Sequence, residues 1–142
     1  MKNLLLNIEN LQISFGDEPS VVDNISFNIW EGETVAIVGE SGSGKSVTAL
    51  STVNLLPDNA RVKGSINYRE TQLLGASERV LQTIRGNDIS FIFQEPMTSL
   101  NPLHTISKQI LESINLHQSI THREAFIQMI GLLEKVGIRD VK

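Results

Sequence analysis

Residues 39–48, GESGSGKSVT, place three glycines and one lysine between two apolar segments, and this arrangement constrains the fold most. The preceding run, TVAIVG at residues 34–39, is apolar on both faces, which is typical of a strand buried in a parallel sheet. The following residues predict a helix over residues 44–56, with Pro57 just beyond its end. A buried strand, a glycine-rich loop and a helix in this order predict an α/β fold.

The loop matches the pattern G-x-x-x-x-G-K-[ST] through Gly39, Gly44, Lys45 and Ser46. Glycines adopt positive φ and let backbone N–H groups turn inward around a phosphate, and the helix aims its N-terminal amides at the same anion. Lys45 would supply a positive charge to the β- and γ-phosphates, and Ser46 a hydroxyl to Mg²⁺. The loop therefore predicts a cradle for a nucleoside triphosphate, against the alternative of a Gly/Ser turn that binds nothing.

Hydrophobic patterning predicts the remaining elements. Alternation predicts two antiparallel strands, each with one solvated face, over residues 4–15 and 24–30, a short strand over 63–69 and a second buried strand over 88–94. Helices are predicted over residues 77–85, from Thr105 onward, and after a capping box formed by Thr121 and Glu124. The apolar stripes of the last two helices are Ile106, Ile110, Leu111 and Ile114, and Phe126, Met129, Ile130 and Leu133, with Gly137 as the stop.

Composition excludes several classes of protein. The 142 residues are 40% hydrophobic and 20% charged, a globular balance, and the net charge of −4 argues against a broad nucleic-acid footprint. The absence of cysteine excludes disulfides and thiolate zinc sites. No apolar run approaches the roughly 18 residues of a membrane span, so any membrane role must come through a partner.

Kinases, GTPases, helicases and transporter motors share such a phosphate cradle, so a second motif is needed to separate them. The stretches VGESGSGKS and FQEPMTSLNP, the latter at residues 93–102, resemble the Walker A motif and Q-loop of the ATP-binding subunits of ABC transporters. The resemblance covers the whole chain and is strongest to importers of oligopeptides, dipeptides and microcin C. It implies a P-loop NTPase core with an antiparallel β subdomain in residues 1–100, and the truncated start of a helical subdomain in residues 101–142.

The resemblance also implies roles for individual residues toward ATP and Mg²⁺. Phe15 would stack on adenine, with core packing as the alternative, and Val21 would lie near the base. Gln94, at the Q-loop position, would contact Mg²⁺ and the attacking water, which makes it the catalytic candidate and, with Ser46, a metal ligand. Val47 stands where many cassettes have Ser or Thr, so only its backbone amide would serve the α-phosphate. The implied nucleotide-binding set is Phe15, Val21, Gly39, Glu40, Ser41, Gly42, Ser43, Gly44, Lys45, Ser46 and Val47.

The implied function is that of an ATP-binding subunit that couples ATP binding and hydrolysis to peptide import. Residues 95–102 would face a membrane-spanning permease subunit, and a second ATP-binding domain would complete the ATP site. The parent complex would be peripheral on the cytoplasmic face of the cell membrane, without a nucleic-acid partner. The alternatives are a nucleotide-binding module without turnover and a soluble ABC ATPase unconnected with transport. The peptide-importer Q-loop and the acidic charge argue against the soluble ATPase.

The sequence contains no LSGGQ signature and no Walker B run of four apolar residues before Asp-Glu. The resemblance thus implies an N-terminal fragment without turnover, taken from a domain of roughly 200–250 residues. In the family, other strands lie between the segments 34–39 and 88–94, so this chain is not expected to be stable as a free monomer in the native arrangement. For His104, His117 and His122, surface or core packing is favoured over a metal or catalytic role.

Overall fold

The structure is a computed structural model that describes residues 2–94 and 100–138. Within it the chain forms two compact units, one up to Ile84 and one from Arg85 onward. The domain boundary predicted at residue 100 stays a prediction.

The first unit contains a four-stranded antiparallel sheet in the order β2-β1-β3-β4. The strands predicted over 4–15 and 24–30 are confirmed, as is their antiparallel pairing. The strand predicted over 63–69 is also confirmed, although it begins three residues earlier. The elements of this unit are β1 (Leu4–Phe15), β2 (Val22–Trp30), α1 (Lys45–Ser51), β3 (Ala60–Tyr68), β4 (Thr71–Gln72) and α2 (Glu78–Ile84).

One face of the sheet is buried and the other is polar, as the alternation predicts. The buried residues of the sheet are Ile8, Leu11, Ile13, Val22, Ile66 and Tyr68. On the polar face, the Asn7 side-chain amide donates to Asn28 Oδ1 at 2.8 Å and so joins β1 to β2. This division explains why β1 and β2 could be predicted from alternation alone.

A bulge in β1 lets Ile8 and Leu11 share the buried face although their positions in the sequence have opposite parity. The pairing register shifts between these two residues, and Asn10 has a φ of 49°. Opposite the bulge, Gly64 of β3 has a φ of +105°, and an added Cβ would lie 2.5 Å from the Asn10 carbonyl oxygen. The bulge therefore requires both an extra residue in β1 and a glycine in β3.

Two predicted strands are wrong, because residues 34–39 and 88–94 form no strand in the structure. The side chains of Val35, Ile37 and Val38 are 41%, 46% and 91% exposed, and Ile92 is fully exposed. An apolar run is buried on both faces only where strands flank it and other elements cover it. Among the described residues, no strand pairs with 34–39, and 88–94 has one isolated bridge, between Arg85 and Ile89.

Helix α1 ends at Ser51, whereas the sequence predicted a helix as far as residue 56. The hydroxyl groups of Ser51 and Thr52 donate to the carbonyls of Thr48 and Ala49, each at 2.7 Å. Asn54 then adopts a left-handed φ of 54°, which no helix can continue through. Local hydroxyl bonds and this asparagine end the helix early.

The second unit contains two helices, α3 (Ile106–His117) and α4 (His122–Lys135). Thr105 caps α3, the predicted capping box opens α4, and Gly137 follows α4 at a φ of +84°, so these predictions are confirmed. The helices pack through a buried cluster of Ile114, Ala125 and Met129, flanked by Ile110, Leu111, Ile120, Ile130 and Leu133.

The predicted apolar stripes are partly wrong. Phe126 is 44% exposed and Ile106 is 51% exposed, whereas Ala125 is fully buried. Ala125 and Met129 are four residues apart and share the helix face that meets α3, and Phe126 lies about 100° further around the helix. Within the described part of the chain, no helix combines the length and the apolar character needed to span a membrane.

We predict that Gly64→Ala lowers the free energy of unfolding by at least about 1 kcal/mol more than Gly75→Ala does. Both glycines have positive φ, so both variants incur the strain of a side chain in left-handed backbone. Only at Gly64 would the new Cβ meet backbone atoms, since nothing lies within 4 Å of a Cβ added at Gly75. Urea denaturation of the two variants measures the difference, and equal midpoints would contradict the bulge geometry.

The capping box predicts a pH effect at Glu124. The Thr121 hydroxyl and the Thr121 backbone N–H both donate to the Glu124 carboxylate, at 2.7 and 2.8 Å, and they lower the pKa of that carboxyl. The resulting stability is present above the unfolded-state pKa and is lost as the pH falls through the folded-state pKa. Thr121→Ala should therefore raise the pKa of Glu124, whereas Ser119→Ala should not. An NMR titration of the Glu124 carboxyl that gives one pKa for both variants would show the box to be absent in solution.

Candidate nucleotide-binding site

Each of the three loop positions 39, 42 and 44 requires glycine, for reasons that differ between them. Gly42 and Gly44 adopt φ of +81° and +83°, in which a side chain would be strained. Gly39 has ordinary φ, but a Cβ added there would lie 2.6 Å from the Ser43 Oγ. The Ser43 backbone N–H donates to the Glu40 carbonyl at 3.2 Å and closes the turn. The backbone of the loop is thus compact and open to solvent along residues 39–43.

The side chain of Lys45 folds back onto the loop. Its Nζ donates to the carbonyl oxygens of Gly39 and Glu40 at 2.9 and 2.6 Å, and it lies 3.5 Å from the Ser43 Oγ. The described residues place no carboxylate within ion-pair distance of this ammonium group. Its positive charge is therefore fixed at the loop and is not neutralised by a neighbouring residue.

The first turn of α1 adds hydrogen-bond donors beside this charge. The first bond of the helix runs from the Thr48 N–H to the Gly44 carbonyl at 2.8 Å. The amides of Lys45, Ser46 and Val47 precede it and have no partner inside the helix. The Ser46 side chain is exposed, and its hydroxyl makes no hydrogen bond to any described residue. Three amides, a hydroxyl and an ammonium group are thus available to one anion.

The turn between β1 and β2 packs against the end of the loop. A Cβ built on Gly44 would meet the Val21 carbonyl oxygen at 3.0 Å and the Val22 Cγ2 at 2.7 Å. Val21, predicted near the base, is 37% exposed, and its N–H donates to the Ile13 carbonyl at 2.8 Å. Phe15 is half-buried at the end of β1, opposite Ala60. In the structure, Val21 therefore lies against the end of the loop. So does Val22, which no sequence signal indicated.

Gln94 is exposed and belongs to the second unit, so its predicted contacts with Mg²⁺ and water stay predictions. It follows the rings of Phe91 and Phe93, which stack at 6.1 Å. Of the segment 95–102, predicted to face a permease, residues 95–99 lie outside the described residues.

The three histidines do not form a metal site in the described part of the chain, where no group of three His, Cys, Asp or Glu could hold an ion. His104 Nδ1 lies 3.3 Å from the Lys108 Nζ, and the His117 ring packs beside Gly86. Open grooves of about 750 and 570 Å³ lie beside Asn3 and beside His104, and neither is lined by a loop residue. The loop is therefore a candidate site because of its chemistry: the Lys45 ammonium group and the free amides at the start of α1.

Comparison with known proteins gives relatives over nearly the whole chain. The chain is 52% identical to the peptidoglycan transport ATP-binding protein YejF of Agrobacterium fabrum, over 96% of this chain and 26% of that protein. It is 38% identical to the oligopeptide transport ATP-binding protein OppD of Salmonella typhimurium, over 99% of this chain and 43% of that protein. The chain thus spans between a quarter and a half of the length of these relatives.

A solved structure shares the fold. The dimeric ATP-binding cassette MJ0796, bound to ADP and Pi, superposes with a TM-score of 0.73 at 23% identity, over 92% of this chain and 56% of that one. The α/β fold of an ABC ATPase, predicted from the sequence, is confirmed by this likeness. The family model described as ABC transporter matches residues 22–142, and we conclude that the chain belongs to the ABC transporter family.

Proposed function

We propose that this chain binds ATP through residues 39–47, as the N-terminal part of an ATP-binding subunit of a peptide import system. The observation that carries the proposal is the Lys45 ammonium group, held on the carbonyls of Gly39 and Glu40 without a neutralising carboxylate. A nucleoside triphosphate offers oxygens that carry full negative charge in place of these neutral carbonyls. Charge-assisted bonds of this kind are about twice as strong as neutral ones, so Lys45 would exchange its partners on binding.

The remaining proposed roles follow from what each group can donate. The amides of Lys45, Ser46 and Val47 would receive the phosphates, and Gly42 and Gly44 would keep the backbone close enough for this contact. Phe15 and Val21 would contact the base. The loop residues fit Mg²⁺ in one respect: the exposed Ser46 hydroxyl has no competing partner and could join phosphate oxygens around the ion. Gln94 would be its second ligand.

The transport role rests on the relatives. These two relatives are named for the transport of peptidoglycan and of oligopeptides. The longer protein would accordingly couple ATP hydrolysis to peptide uptake, with a permease contacting residues 95–102 and a second ATP-binding domain as partner. It would lie on the cytoplasmic face of the membrane. For these 142 residues alone, the proposal is limited to nucleotide binding.

We predict that Lys45→Ala abolishes ATP binding, because the loop loses its one full positive charge in a site for several negative ones. Lys63→Ala is the matched control, since it removes the same charge from an exposed position on β3. Isothermal titration calorimetry should give wild-type affinity for Lys63→Ala and no heat of binding for Lys45→Ala. Equal affinities of the wild type and Lys45→Ala would exclude the loop as the phosphate site.

We also predict no sustained ATP hydrolysis by the 142 residues alone. A positioned general base typically contributes 10²–10⁴-fold to the rate, and the sequence has no Asp-Glu pair after an apolar strand to supply it. Phosphate release under multiple-turnover conditions measures this directly. Steady release by the wild type that disappears in Lys45→Ala would contradict the prediction and favour a complete active site.

A further inference from the structure

Gly44 lies where the exposed loop becomes buried. Residues 39–43 are all exposed, whereas Gly44 itself is buried. A Cβ built on Gly44 would lie 2.7 Å from the Val22 Cγ2, 3.0 Å from the Val21 carbonyl oxygen and 3.4 Å from the Val21 Cγ1. The first of these distances is shorter than Cβ atoms tolerate, so Val22 occupies the space that a side chain at position 44 would need.

The position of Val22 is fixed by strand pairing and by burial. It is the first residue of β2, is 3% exposed, and pairs with Ile13 of β1, which is fully buried. Its neighbour Val21 is fixed by the hydrogen bond from its N–H to the Ile13 carbonyl. The contact on Gly44 therefore comes from a residue of the hydrophobic core of the sheet.

We propose that Val22 is a positioning residue for the phosphate loop, an inference that rests on the proposed ATP binding. Its γ-methyl group packs on Gly44 and supports the left-handed backbone there, which sets where α1 begins. The start of α1 in turn sets the direction of the amides of Lys45 and Ser46 and the reach of the Lys45 ammonium group. Val22 acts through Gly44 and does not contact the phosphates.

This role predicts a loss of affinity when the γ-carbons are removed. In Val22→Ala, the backbone at Gly44 gains space and can leave its left-handed conformation, so the loop must be ordered when the phosphates bind. Ordering groups on binding lowers affinity, and pre-ordering them raises it. We expect Val22→Ala to weaken ATP and inorganic tripolyphosphate by the same factor, about tenfold, which corresponds to about 1.4 kcal/mol.

A double-mutant cycle with a matched glycine tests the contact itself. Gly42→Ala and Gly44→Ala both introduce a side chain at positive φ, which should cost about five- to thirtyfold in affinity. Only Gly44→Ala adds a clash, because nothing lies within 4 Å of a Cβ at Gly42. We expect the double variant Val22→Ala/Gly44→Ala to bind at least about fivefold more tightly than the sum of the two single effects predicts. The double variant Val22→Ala/Gly42→Ala should match the sum of its single effects.

The cycle is measured with ATP and with tripolyphosphate on the full chain of 142 residues. Where Gly44→Ala binds too weakly to measure, the midpoint of urea unfolding is read in the same three single and two double variants. Val22→Ala is then expected to restore part of the midpoint lost in Gly44→Ala and none of that lost in Gly42→Ala. If Val22→Ala does not fold, Val22→Cys, which keeps one γ atom, replaces it with a smaller expected recovery.

The outcomes separate this inference from the proposed function. Additive effects at both glycines, in a wild type that binds ATP, would overturn the positioning role and leave ATP binding intact. A loss with ATP but none with tripolyphosphate would place the action of Val22 at the nucleoside and also overturn the role. A wild-type chain that binds neither ligand would overturn the proposed function, and this inference with it.

Discussion

The left-handed backbone at Gly44 is the constraint on which the candidate site depends. It is the N-cap of α1, with a φ of 83° and a ψ of 5°, and its carbonyl accepts the first hydrogen bond of that helix. An L-residue with a side chain would be strained in this conformation and would also meet the core at Val22. This one position determines where α1 begins and thereby where its free amides and the Lys45 ammonium group lie.

The Lys45 ammonium group is hydrogen-bonded within the loop, but its charge is not balanced there. Lys45 donates to two carbonyl oxygens of its own loop, so no donor of the ammonium group needs a distant partner. Neutral carbonyls do not balance a full charge, and among the described residues no carboxylate, that of Glu40 included, lies within ion-pair distance of the ammonium group. A site of this kind can receive an anion by exchanging partners, with little rearrangement of the backbone.

The sequence predicted those parts of the structure that depend on neighbouring residues. Alternation along β1 and β2 identified both strands, and Thr121 with Glu124 identified the start of α4. The prediction of a buried strand over 34–39 was wrong because burial on both faces is a property of the surrounding sheet and is not encoded in the run itself. The prediction that Phe126 is part of the buried stripe of α4 was wrong for a related reason, since the buried face of α4 is determined by the packing of Ala125 against α3.

The candidate site likewise has features that could be predicted from the sequence and features that could not. Its residue pattern, from Gly39 to Ser46, is local and could be found in the sequence with a physical role for each member. The contact of Val22 with Gly44 links positions 22 residues apart, and the bulge opposite Gly64 links β1 to β3. Contacts across such distances depend on the register of the sheet, which alternation alone does not determine.

In this interpretation, residues 39–47 form an anion-binding loop with Lys45 as its charged member. A ¹H–¹⁵N NMR spectrum of the chain, recorded while ATP and Mg²⁺ are added, tests it most directly. We expect the largest changes on the amides of residues 42–47 and on those of Val21 and Val22. Changes centred on the groove beside His104 and Lys108, with the loop amides unmoved at saturating ATP, would contradict it.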